Sequence, residues 1–75
     1  MPYTSNEELP VGVRHKLPIE AQNIYREAFN NAWEFYKDPH KRHKDRTQEE
    51  TAHSVAWSAV EKKYNKDEHH EWVKI

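Results

Sequence analysis

Two segments, Ile24 to Tyr36 (IYREAFNNAWEFY) and Ala52 to Tyr64 (AHSVAWSAVEKKY), follow one plan at an offset of 28 positions. Each sets an alanine before an aromatic residue (Ala28 and Phe29; Ala56 and Trp57) and a tyrosine further on (Tyr36; Tyr64). Apolar residues in both recur at steps of three and four, the spacing that lines one face of an α-helix. Two amphipathic helices that bury matching faces across an alanine-lined seam satisfy this pattern.

That pair must do most of the stabilising. The chain has 75 residues, and a chain of this size buries only roughly 60% of the surface it exposes when unfolded. Small scaffolds of this kind rely on disulfides, metals, partners or tight helix packing. With no cysteine present, disulfides and thiolate zinc sites are excluded, and the composition fits a reducing compartment. Residues 1–75 are expected to form one domain. No apolar run approaches the roughly 20 residues needed to span a bilayer, and the start MPYTSNEELP has neither the basic patch nor the apolar core of a signal peptide. The expected location is cytoplasmic.

The order of elements follows from punctuation along the chain. Residues 1–9 are polar apart from Tyr3 and Leu9 and read as extended and loosely held. Pro10 and Pro18 bracket a short helix near 10–16, whose packing rests on Leu9, Val13 and Leu17. Each proline favours an extended residue before it and a helix after it. A long helix near 18–37 presents Ala21, Ile24 or Tyr25, Ala28, Ala32 and Phe35 or Tyr36 on one face, with Phe29 and Trp33 widening it. Pro39 disfavours helical geometry at Asp38 and stops it.

Residues 37–46 (KDPHKRHKDR) hold five Lys or Arg against two Asp and nothing apolar, and read as a cationic connection. Thr47 and Glu50 then have capping-box spacing and open a third helix near 47–64, for which Asn65 offers a left-handed cap. The tail ends on Trp72, Val73 and Ile75, which are expected to pack back on the helices, with a short strand pairing near Tyr3. The fold class is therefore mainly α: a bundle of about three helices with irregular loops and a minor terminal strand pair.

The residue chemistry favours contact over catalysis. No nucleophile has a neighbouring base, no carboxylate lies in an apolar setting, and a single glycine cannot build a phosphate-cradling loop; the chain is read as non-enzymatic. His40 and His43 beside Asp38, and His69 and His70 beside Asp67, Glu68 and Glu71, offer nitrogen and oxygen donors. They lack the helical i, i+4 spacing that aims two imidazoles one way, and solvated histidines are the simpler reading, so no metal or other cofactor is expected. Protonating all six histidines would move the formal charge from −1 to +5, a change centred near pH ~6.5. His53 stands apart: it lies one helical turn after Glu49 and one before Trp57, where an ion pair or aromatic packing would hold it. Candidate contact residues are Trp33 and Trp72 as exposed aromatics, Lys41, Arg42 and Lys44 in the cationic loop, and His53.

Taken together, MPY at the start, Leu9-Pro10, Val13, Leu17-Pro18, Ala21-Gln22, Ile24-Tyr25, Ala28-Phe29-Asn30, Ala32-Trp33, Tyr36, Glu50-Thr51-Ala52-His53, Val55-Ala56-Trp57, Ala59-Val60 and Tyr64 resemble the ChaB family of small bacterial proteins. The resemblance implies a compact bundle of about three helices. It also implies a regulator of cation transport linked to a ChaA-like cation/proton antiporter, working as a protein-protein interaction module. It supplies no catalytic motif. The alternative reading is a small nucleic-acid-binding module that uses the basic 37–46 loop.

Overall fold

Two prolines set the starts of the first two α-helices. The computed structural model describes residues 2–42 and 45–75. Pro10 and Pro18 stand at the N-caps of helices α1 (Val11–Lys16) and α2 (Ile19–Phe35). The residues before them, Leu9 and Leu17, are extended, as the ring of a following proline requires. Both leucines are buried, together with Val13, so the short helix is held by the three side chains its spacing nominated. Gly12 lies inside α1 with no left-handed backbone, and a Cβ added there would meet nothing within 4 Å. Gly12→Ala should therefore stabilise the protein by about 0.4–1 kcal/mol, because it restricts the unfolded chain without straining the folded one. A thermal melt raised by several degrees is the expected readout.

Helix α2 packs against α3 (Gln48–Glu61). The core between them comprises Ala21, Tyr25, Phe29 and Ala32 from α2 and Ala52, Ala56 and Val60 from α3, closed by Tyr64. α3 opens on the capping box that the spacing predicts. The Glu50 amide donates to Thr47 Oγ1 at 3.1 Å and the Thr47 amide to Glu50 Oε1 at 3.3 Å. Such reciprocal bonds satisfy amides that the first helical turn leaves without partners.

Both long helices end earlier than their periodicity suggests. α2 stops at Phe35 because Asp38 opens a separate turn, its carboxylate accepting from the His40 amide at 2.9 Å ahead of a 3₁₀ turn at Pro39–Lys41. α3 gives way before Tyr64 because the tail captures the backbone there. Strand β1 (Tyr64–Lys66) pairs antiparallel with β2 (Trp72–Lys74), with Tyr64 opposite Lys74 and Lys66 opposite Trp72. The strand pair thus forms with the end of α3 and not with residues near Tyr3. Asn65 lies within β1 and takes no left-handed cap; the left-handed residue is His70, in the turn, with φ 62°. Asp67 holds that turn by accepting from the His69 and Glu71 amides at 2.8 and 2.9 Å.

Of the three apolar tail residues, only Trp72 packs back. It lies on Trp57 with ring centroids 5.6 Å apart, while Val73 and Ile75 are exposed. Alternation along the strand explains the difference: Trp72 and Lys74 share one face, and Lys74 Nζ lies 3.8 Å from a Glu20 carboxylate oxygen.

The segment before α1 is tied down, contrary to the loose chain its polarity suggests. Asn30 brackets Tyr3 from both sides, accepting from its amide and donating to its carbonyl, each at 2.8 Å. The Tyr3 ring rests on Phe29 at 4.7 Å, and Asn6 Nδ2 donates to Asn23 Oδ1 at 2.7 Å. One side-chain amide in α2 thus occupies the backbone groups of Tyr3 that a strand partner would need.

Candidate functional site

On one flank of the α2–α3 seam, two depressions adjoin and share Tyr36 and Val55. The larger is an open groove of about 430 Å³ lined by Ala28, Asn31, Ala32, Phe35, Tyr36 and Val55. Phe35 is 57% exposed, an unusual position for a phenylalanine on a helix with an apolar face already committed to a core. Its ring meets Tyr36 edge-on at 4.8 Å, and Lys41 Nζ lies over it, 4.6 Å from the centroid. A cation held over an aromatic face at this distance is attracted by the ring quadrupole, so Phe35 and Lys41 fix each other at the rim.

The smaller depression, about 230 Å³, lies where the connection meets α3. Lys41, Arg42 and Arg46 supply its charge, and Tyr36, Thr51 and Ser54 supply hydroxyls. The Thr51 hydroxyl is committed, donating to the Thr47 carbonyl at 2.9 Å. The neighbouring acids are committed too, Asp38 to the His40 amide and Glu50 to the Thr47 amide.

The candidate residues nominated from the sequence divide between this flank and an aromatic row. Lys41 and Arg42 come together here. Lys44 and His43 lie outside the described residues. Trp33, His53 and Trp72 line neither depression. Trp33 stacks on Phe29 at 5.8 Å and its carbonyl accepts from Gln48 Nε2 at 2.8 Å. His53 sits 4.7 Å from the Phe29 ring, and Trp72 continues the row through Trp57 to Tyr25.

His53 is the polar member of that row. Its Nδ1 is hydrogen-bonded to the Tyr25 hydroxyl, and its Nε2 lies 3.6 Å from Glu49 Oε1. Burial, and to a lesser degree the nearby Tyr3, push the Tyr25 phenol above its ordinary range. Tyr25 therefore stays protonated at its hydrogen bond with Nδ1. Tyr3 is raised by burial and then by Glu49. Tyr64 is raised by burial and by Glu20, to which its hydroxyl donates at 3.3 Å. Glu8 is held below the usual carboxylate range by the amide and hydroxyl of Thr4. Among the described residues no three His, Asp or Glu side chains gather as a metal would require.

Residues that sequence reasoning did not nominate for contact are Phe35, Tyr36, Val55, Thr51 and Ser54. The three-to-four spacing of Ala28, Ala32 and Tyr36 marks a helical face, but that signal equally describes a core. The open choice between Phe35 and Tyr36 hid the fact that the neighbouring ring faces outward.

The architecture defines a class: a small helical module with a C-terminal strand pair that carries an open apolar groove beside a cluster of cations. The chain belongs to the ChaB family, whose model matches residues 9–74. It is 51% identical over 74 residues to a protein of Escherichia coli strain K12 named "Putative cation transport regulator ChaB", covering 99% of this chain and 97% of the relative. The relative of the same name from Shigella flexneri matches to the same extent. A solution structure of ChaB determined by NMR superposes with a TM-score of 0.82 at 50% identity, covering 99% of both chains. Among the described residues no helix is long and apolar enough to cross a membrane.

Proposed function

We propose that this protein regulates cation transport as a non-catalytic module that docks on the cytoplasmic face of a ChaA-like cation/proton antiporter. The observation that carries the reading is the groove of Ala28, Ala32, Phe35, Tyr36 and Val55 with Lys41, Arg42 and Arg46 beside it. Such a surface complements an amphipathic helical segment whose apolar side fills the groove and whose acidic side meets the cations. The occupant is accordingly an acidic amphipathic segment of the antiporter. The names carried by the relatives supply the link to cation transport.

Because Phe35 is mostly exposed, removing its ring separates docking from folding. The protein is expected to bind the antiporter reconstituted in nanodiscs, and Phe35→Ser to bind about tenfold more weakly, a loss of about 1.4 kcal/mol, with an unchanged melt. Failure of the wild type to bind anywhere between about pH 5.5 and 8, a span that brackets the histidine pKa of about 6.5, would refute the docking. Tight, salt-sensitive binding to a labelled duplex in the same assay would instead favour the nucleic-acid reading.

A further inference from the structure

We propose that the smaller depression is a phosphate-binding site, and this does not rest on antiporter docking. Lys41, Arg42 and Arg46 converge on one cavity, and no carboxylate among the described residues forms an ion pair with any of them. Like charges gathered without a counterion repel one another. Arg42 sharpens the point: its Nε is buried and has no hydrogen-bond partner among the described residues. A guanidinium N–H left in that state calls for an acceptor.

The chemistry of the wall selects the acceptor. Guanidinium groups present parallel N–H donors that match the oxygens of a tetrahedral oxyanion, two at a time. Tyr36 and Ser54 add hydroxyls from the helical side, and among the described residues no acid lines the cavity to repel an anion. At about 230 Å³ the space lies below the roughly 300–1,000 Å³ typical of drug-sized ligands. It suits a phosphate group and not a whole nucleotide. The phosphate has two sources, the free ion or the exposed phosphomonoester of a lipid headgroup, and both place the same oxygens against Arg42 and Arg46.

The test is a titration of the ¹⁵N-labelled full chain with inorganic phosphate, with chloride adjusted to hold ionic strength constant. Saturable shifts are expected at the Arg42 Nε–H and at the Thr51 and Ser54 amides. The double variant Arg42→Gln with Arg46→Gln should weaken the response at least about tenfold. Ser54→Asp, at an exposed helix position, should abolish it by setting a carboxylate among the cations while leaving the melt intact. Shifts that stay linear through the millimolar range would overturn the site, as would variants that saturate like wild type. Vesicles of phosphatidic acid in phosphatidylcholine, compared with phosphatidylcholine alone, distinguish the sources. Sedimentation with the former only assigns the site to a lipid headgroup, and saturation by phosphate without sedimentation assigns it to the free ion.

Discussion

Phe29→Ala is expected to lose about 3–5 kcal/mol of stability. Phe29 is fully buried and is the residue on which separate parts of the chain meet. Tyr3 touches it from the N-terminal segment at 4.7 Å, Trp33 from the next turn of α2 at 5.8 Å, and His53 from α3 at 4.7 Å. Truncation removes the apolar area and leaves a cavity that two helices and a tethered segment cannot all collapse into. At roughly 0.05–0.15 kcal/mol per residue, the whole chain has roughly 4–11 kcal/mol available, so the variant loses a large share of it. The melt should fall by at least about 12 °C, read by circular dichroism. Phe35→Ala is the matched control: it has the same side chain on the same helix but is 57% exposed, and should change stability by no more than about 0.5 kcal/mol. A Phe29→Ala melt within a few degrees of wild type would mean that the core is not centred on this ring.

The contrast between these two phenylalanines marks how far the sequence could be read. Periodicity nominated Ala21, Ala28, Ala32, Ala52, Val55, Ala56, Ala59, Val60 and Tyr64; six of these are buried and Ala28, Val55 and Ala59 are half-buried, because helical spacing reports which side chains share a face and not how deep each one lies. It left Ile24 against Tyr25 and Phe35 against Tyr36 open, because adjacent residues lie about 100° apart on a helix and a broad apolar face admits either. The structure buries Tyr25 and exposes Phe35. Helix ends were legible where the signal is local, as at Thr47 and Glu50. They were misread at Tyr64, where a distant strand competes for the backbone.

The candidate site was less legible still. Lys41 and Arg42 are visible as a charge run, but Tyr36, Ser54 and Val55 join them only because α2 and α3 fold back on each other. Spacing gives the face of a helix, not the neighbour opposite. The anchoring of Tyr3 by Asn30 had no sequence signal beyond a polar residue on a largely apolar stretch, and that residue type is most often solvated.

Gln22 makes the same point about polar residues near the core and leads to the second large effect. Only 6% of it is exposed, and its side-chain amide donates to the Leu17 carbonyl at 2.9 Å and the Arg14 carbonyl at 3.3 Å. Those carbonyls lie at the C-terminal end of α1, where a helix runs out of its own donors, so Gln22 closes α1 from the first turns of α2. Gln22→Leu keeps much of the volume but leaves both carbonyls without this donor, at a cost of about 1–3 kcal/mol. Gln22→Glu is nearly isosteric and should be worse at neutral pH, by about 3–5 kcal/mol, since it buries a charge facing two carbonyl oxygens. Its pH dependence separates charge from shape. Burial raises the folded-state pKa of the new carboxyl above its unfolded value of about 4.3. The protonated acid, which can donate to one carbonyl, is thus retained at low pH, and the variant loses stability relative to wild type as pH rises through the folded-state pKa. Melts of both variants against wild type at about pH 4 and pH 7 should show the deficit of Gln22→Glu widening with pH while that of Gln22→Leu stays constant. Equal deficits at both pH values would show that the amide does not bridge α1 to α2, and that α1 is held by Leu9, Val13 and Leu17 alone.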